Sequence, residues 1–174
     1  MQINRIFLDI DGVLNLMPYQ ALQAALKTTV NEYPLPGNYS LYDAYRSLTK
    51  WPDYYTEGRF WDSLGHEFWS TLPKSPDCDL IIDMCVQLVG QSEVFLLTKT
   101  TKNSSCAAGK IDWIYANMPP WLHRQFAITT DKEICSAHDA LLIDDCDKNI
   151  EEFGGQTLLV PRPWNSKHDL CTFK

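Results

Sequence analysis

Two short apolar runs that each stop at a pair of aspartates constrain this chain more than any other feature. The run from Ile3 to Ile10 leads into Asp9-Ile10-Asp11-Gly12, and Leu141-Leu142-Ile143 leads into Asp144-Asp145. Short apolar stretches of this kind suit strands buried on both faces, and Asp-Gly suits the turn that leaves the sheet. Asp9 and Asp11 are two residues apart, so an extended strand end presents both on one side, and Gly12 lets the chain turn sharply after them.

The rest of the chain alternates in the same way. Ser75-Pro76-Asp77 and Gly90 bound a helical segment in which Ile81, Ile82, Cys85, Leu88 and Val89 recur at helical spacing, followed by a strand over Val94-Phe95-Leu96-Leu97 that ends at Thr98. Ile111, Ile114 and Tyr115 share the face of a helix predicted over Cys106 to Met118, which Pro119-Pro120 terminates. Phe126-Ala127-Ile128, Leu141-Leu142-Ile143 and Leu158-Leu159-Val160 read as further strands, with a short helix from Asp147 to Phe153 between the last two. This pattern predicts an α/β fold: a Rossmann-like, mainly parallel sheet sandwiched by helices, with ligands bound beyond the carboxyl ends of the strands.

Between Leu14 and Leu72 the pattern breaks. Tyr19, Tyr33, Tyr39, Tyr42, Tyr45, Trp51, Tyr54, Tyr55, Phe60, Trp61, Phe68 and Trp69 crowd a stretch that also holds Pro18, Pro34, Pro36 and Pro52. So many aromatic side chains argue against a disordered linker. The expected organisation is a core of residues 1–14 and 73–174 with a small, mostly helical cap, 15–72, inserted after the first strand.

The 15 Lys and Arg against 22 Asp and Glu give a net charge of −7, which disfavours bulk binding to nucleic acid or to an anionic membrane surface. No apolar run approaches the roughly 20 residues that span a bilayer, and the first residues lack a signal-peptide layout. Cys78, Cys85, Cys106, Cys135, Cys146 and Cys171 form no Cys-x-x-Cys pair, so they read as reduced packing residues of a cytoplasmic protein. Histidines 66, 123, 138 and 168 show no metal-ligand spacing.

Four carboxylates at two strand ends suit a hard cation. A carboxylate attacking a phosphate dianion meets about 4 kcal/mol of repulsion per charge pair near 4 Å at an effective dielectric of 20, and a divalent ion offsets it. Mg²⁺ takes oxygen ligands, commonly one or two carboxylates with water and substrate phosphate, which Asp9 with Asp144 or Asp145 can supply. Thr98 at the next strand end and Lys110 on the following helix can hold phosphoryl oxygens, with Lys99 a second candidate and Lys132 a rival to Lys110.

Taken in order, Asp9-Ile10-Asp11-Gly12-Val13-Leu14, Leu96-Leu97-Thr98, Lys110 and Leu142-Ile143-Asp144-Asp145 resemble the four motifs of haloacid dehalogenase-like phosphatases. The resemblance implies that Asp9 forms an aspartyl-phosphate and that Asp11 protonates the leaving oxygen and then activates water. It further implies that Thr98 and Lys110 bind the phosphoryl group, and that Asp9, the Asp11 main-chain carbonyl, Asp144 and Asp145 serve magnesium. Ala108-Gly109-Lys110-Ile111-Asp112-Trp113, Thr130-Asp131-Lys132 and Arg162-Pro163-Trp164-Asn165 are similar to the 5'(3')-deoxyribonucleotidase branch, in which an aromatic cap clamps the base. By that likeness Phe60, Trp61, Phe68 and Trp69 are the candidates for base stacking. Lys99-Thr100 and Cys146-Asp147 depart from the branch's pattern.

Each motif has a plainer reading. Asp-Gly makes ordinary turns, Asp144 and Asp145 suit the start of the helix that follows, Lys110 could be a solvated helix lysine, and aromatic clusters are commonly core. The expected activity is Mg²⁺-dependent hydrolysis of a small phosphorylated substrate, a nucleoside monophosphate first. Sugar phosphates, polynucleotide 3'-phosphate ends and a non-catalytic binding module are the alternatives, and a homodimer stays open as the assembly state.

Overall fold

The computed structural model describes residues 2–49 and 56–171, so Trp51, Pro52, Tyr54 and Tyr55 of the aromatic segment lie outside the described residues. Five strands, β1 (Arg5–Leu8), β2 (Val94–Lys99), β3 (Phe126–Thr129), β4 (Ala140–Asp144) and β5 (Gln156–Leu159), form one sheet in the order β3-β2-β1-β4-β5. All four pairings are parallel. Leu8, the last residue of β1, lies opposite Leu96 on one side and Ile143 on the other, so β4 runs one residue and β2 three residues past the end of β1.

The chain builds outward from β1 to β3, then crosses back to β4 on the other side of β1. That reversal lies between β1 and β4, the two strands that carry the aspartate pairs. The expected α/β class is therefore met, with every strand parallel. The last strand starts two residues earlier than its apolar run, at Gln156, because pairing with Leu141–Asp144 sets its register and edge strands tolerate polar residues.

Helix α5 (Cys78–Val89) connects β1 to β2 and ends at Gly90, whose φ of 83° breaks the helix. Helix α6 (Ser104–Asn117) connects β2 to β3; the Asn103 side chain accepts from the Ser105 amide, which starts the helix two residues before its apolar stripe. Ile82, Cys85, Trp113 and Ile114 from these helices join Ile6, Leu8, Leu96 and Ile143 in the main hydrophobic cluster on one sheet face. The other face is thinner: Phe7, Leu97, Ala140, Leu142 and Phe153 form a small cluster that α7 (Asp147–Glu152) flanks.

Between β1 and α5 the chain forms α1 (Met17–Leu26), α2 (Leu41–Leu48), α3 (Glu57–Asp62) and α4 (His66–Ser70). It leaves and returns at one place, where the Leu16 amide donates to Pro73 O at 3.1 Å and the Ser75 amide to Leu14 O at 2.9 Å. Tyr33, Leu41, Tyr45, Phe60, Leu64 and Trp69 from this segment belong to the same cluster as the strands, so it packs onto the sheet layer. Among the described residues no helix is long and apolar enough to cross a membrane.

The contact between α4 and α6 depends on Gly109, where a Cβ would lie 2.6 Å from Trp69 Cβ and 2.7 Å from His66 O. Gly109→Ala gains helix propensity but forces the two helices apart. The expected net loss is about 1–2 kcal/mol, read as a lower urea midpoint with an unchanged slope.

Candidate active site

Asp9 follows the last residue of β1, and its amide donates to Ile143 O at 2.9 Å, which carries the parallel ladder one step past the strand end. Asp144 ends β4 and Asp145 follows it. Parallel sheets leave a crevice where the strand order reverses. There Asp9, Asp144 and Asp145 each place a carboxylate oxygen within 4.8 Å of the others, and all three are buried.

Among the described residues, one cation, Lys132, contacts this trio. Lys132 is 2% exposed and sits in the short turn before β4, with its Nζ 2.7 Å from both Asp9 Oδ1 and Asp144 Oδ2. Burial alone would lower its pKa, but the two carboxylates outweigh that and raise it. Asp144 is fixed further by the Cys146 amide at 2.9 Å and by Asn149 Nδ2 at 3.2 and 3.1 Å from its two oxygens.

Three buried carboxylates against one ammonium leave two negative charges uncompensated. Burial, opposed in part by Lys132, raises Asp9 to a pKa of about 7, with Asp144 and Asp11 adding to the rise. Asp145 is raised well above its ordinary range by burial and then by Asp144 and Asp9. Asp145 Oδ1 is buried with no hydrogen-bond partner, while Oδ2 accepts from Trp164 Nε1 at 2.5 Å. An orphaned oxygen, a tight carboxylate trio and a deficit of two charges fit a divalent cation with oxygen ligands.

Gly12 makes this packing possible. Its φ is +79°, and a Cβ there would lie 1.9 Å from Asp145 Oδ2 and 3.1 Å from Trp164 Cζ2. The loop is held from outside by buried Arg162, whose Nε donates to Gly12 O at 2.6 Å and whose second nitrogen donates to Val13 O at 3.2 Å.

Asp11 belongs to the other half of the site. Lys110 donates to Asp11 Oδ2, to Thr98 Oγ1 at 2.9 Å and to the Lys99 carbonyl. Asp11 Oδ1 accepts from Asn15 Nδ2 at 3.1 Å. The Lys99 ammonium turns instead to Asn149 Oδ1 at 2.7 Å. A cavity of about 200 Å³ lies over both halves, lined among others by Asp9, Asp11, Thr98, Lys99, Lys110 and Lys132.

The segment between β1 and α5 supplies another part of the cavity wall through Met17, Tyr39, Trp61 and Trp69. Trp61 and Trp69 lie nearly parallel, 6.5 Å apart and 17° from coplanar, and Lys110 Nζ lies 5.1 Å from the Trp69 ring centre. Phe60 is fully buried against Tyr45 at 5.4 Å, and Phe68 packs edge-on to Trp69 at 5.0 Å. Of the four aromatic candidates, Trp61 and Trp69 therefore line the cavity, whereas Phe60 and Phe68 sit behind them. A second cavity of about 620 Å³ shares Met17, Tyr39, Trp61, Lys99 and Asn149 with the first, so the two adjoin.

Several contributors carry no signal of their own in the sequence. Asn15, Tyr39 and Asn149 sit in unremarkable contexts, and Lys132, the rival to Lys110, is the lysine that touches Asp9. Trp164 falls in the stretch Arg162-Pro163-Trp164-Asn165, whose resemblance was the available clue.

The model of the family described as "5' nucleotidase, deoxy (Pyrimidine), cytosolic type C protein" matches residues 2–172. No curated protein sequence matches the chain. Among solved structures, a hydrolase from Streptococcus pneumoniae TIGR4 is similar at a TM-score of 0.52 and 10% identity, covering 98% of this chain and 99% of that one. A putative phosphoglycolate phosphatase from Lactobacillus delbrueckii subsp. bulgaricus ATCC BAA-365 is similar at 0.55 and 12% identity, covering 98% and 91%. These two likenesses speak for the fold, while the family match spans nearly the whole chain and agrees with the paired aspartates at the ends of β1 and β4. The chain accordingly belongs to the cytosolic type C 5'-nucleotidase family, a branch of the haloacid dehalogenase-like phosphatases, and is an enzyme of the phosphatase/nucleotidase kind.

Proposed function

We propose that this protein hydrolyses nucleoside monophosphates through an aspartyl-phosphate on Asp9, with Mg²⁺ as its cation. The observation that carries the reading is that Asp9 belongs both to the buried carboxylate trio and to the lining of the cavity that holds Thr98 and Lys110. The family's own description supplies the substrate class, nucleotides and pyrimidine deoxynucleotides first.

In this mechanism Asp9, Asp144, Asp145 and the Asp11 main-chain carbonyl would hold Mg²⁺, which would offset the charge between the Asp9 carboxylate and the phosphoryl oxygens. Thr98, Lys110 and Lys99 bind those oxygens, and Lys132 orients Asp9 and Asp144. An Asp9 oxygen attacks phosphorus as the bond to the leaving oxygen breaks, and Asp11 gives that oxygen its proton. In the second half Asp11 takes a proton from water, the water oxygen attacks phosphorus, and the bond to Asp9 breaks to release inorganic phosphate.

Residues 15–72 act as the cap over this chemistry. Trp61 and Trp69 are its platform for the leaving group, base stacking on an aromatic face contributing about 1–3 kcal/mol. Phe60 and Phe68 support that platform from behind. The protein works in the cytoplasm, where its six free cysteines stay reduced.

Phosphate release from deoxy- and ribonucleoside 5'- and 3'-monophosphates, sugar phosphates and a 3'-phosphorylated oligonucleotide tests the assignment. With Mg²⁺ a nucleoside monophosphate should exceed every sugar phosphate at least tenfold in kcat/KM, and EDTA should abolish turnover. Equal rates across the panel would remove the nucleotide assignment. A saturating cation, at 100 times its Kd, should also stabilise the fold by about 2.7 kcal/mol, seen as a rise in Tm.

A further inference from the structure

Asn15 lies four residues beyond Asp11, is 1% exposed, and makes hydrogen bonds through both ends of its side chain. Its Oδ1 accepts from the Gly12 amide at 3.3 Å and the Met17 amide at 3.0 Å. Backbone amides only donate, so these two contacts fix which end of the side-chain amide is oxygen and which is nitrogen. Nδ2 must then be the end that meets Asp11 Oδ1, at 3.1 Å.

An amide nitrogen likewise donates and cannot accept. Asp11 is therefore held at both carboxylate oxygens, Oδ1 by Asn15 and Oδ2 by Lys110. Oδ2 is the oxygen beside Lys110, which also holds Thr98 on the cavity wall. We propose that Asn15 is a positioning residue for Asp11: by anchoring Oδ1 it fixes the rotation of the carboxyl group, so that Oδ2, on the side of Lys110 and Thr98, is the oxygen turned to the leaving group. This rests on the acid–base role given to Asp11 above. In the step it governs, the Oδ2–H bond breaks as the bond from phosphorus to the leaving oxygen breaks. The proton passes to that oxygen, and Asp11 remains as the carboxylate that later receives a proton from water.

The loop supports this role. Asn15 pairs by bridges with Asp11 on one side and Lys74 on the other, so the same residue that aims Asp11 sits at the neck where the 15–72 segment leaves and returns. No motif singles Asn15 out.

The test uses two substrates of nearly one shape, phenyl phosphate and p-nitrophenyl phosphate. The nitrophenolate departs without a proton, whereas phenolate benefits from one, and kcat/KM reports the steps up to transfer of phosphorus to Asp9. Asn15→Ser cannot span the distance to Asp11, and Asn15→Asp keeps the acceptor for the two amides but removes the donor. For either folded variant, kcat/KM should fall at least about tenfold on phenyl phosphate and less than about threefold on p-nitrophenyl phosphate. Equal losses on both substrates would show a structural role only and overturn the proposal, as would no loss on either. Asp11→Asn, measured alongside, separates the two readings. If it shows the contrast and the Asn15 variants do not, the role of Asn15 fails and that of Asp11 stands; if it shows none, the acid assignment fails and takes the Asn15 proposal with it.

Discussion

Asp9→Asn should abolish turnover while leaving the fold intact, with a loss on the order of 10⁴-fold or more in kcat, the scale seen when a nucleophile is removed from a covalent mechanism. Asparagine matches aspartate in size and keeps an oxygen that Lys132 can approach, so the sheet end and the Asp144 contacts have no reason to move. Burial already holds the Asp9 carboxyl near a pKa of about 7, so a neutral side chain is well tolerated there without the cation. The variant should therefore melt within a few degrees of the parent in EDTA, yet gain less from added Mg²⁺ because one charged ligand is gone. Phosphate release and a melting curve check both halves. Turnover within tenfold of the parent would remove Asp9 as nucleophile.

The second large effect is expected at a residue with no functional group. Gly12→Ala places a methyl where Asp145 Oδ2 now lies 1.9 Å away, and it does so at a φ of +79°. The left-handed backbone costs an L-residue about 1–2 kcal/mol, and the carboxylate of Asp145 must also shift and strain its contact with Trp164. Together these predict a destabilisation of about 2–4 kcal/mol and a fall of at least about 100-fold in activity, since Asp145 can no longer stand beside Asp9 and Asp144. A denaturant midpoint within error of the parent would show that the loop relaxes freely.

Much of the sheet was legible from residue pattern alone, because parallel strands buried on both faces must be apolar without interruption. Val94–Lys99 and Ala140–Asp144 follow their apolar runs closely. β5 was read less well: its true start, Gln156, is polar and partly buried, and only pairing with β4 identifies it. The aspartate pairs were legible because they interrupt apolar runs, where a charge is costly unless it has work to do. The lysines were legible as candidates but not in their contacts. Lys110 stands on a helix with a clear period, but Lys132 occupies an irregular turn, and its reach to both Asp9 and Asp144 depends on how β4 lies beside β1. Asn15 and Asn149 were invisible for a related reason, since an amide earns its place only through partners that the fold brings to it.

The neck between Leu14 and Ser75 has a consequence for how such a protein can diversify. A segment whose two ends are stitched together by adjacent backbone contacts closes on itself, so its interior length is free to change without stretching the strands below. What limits exchange is its apolar underside, since Tyr45, Phe60 and Trp69 share one cluster with the sheet. Any replacement must carry a comparable greasy sole, while the surface facing the cavity can be rewritten, and new substrates can be admitted over an unchanged reaction centre.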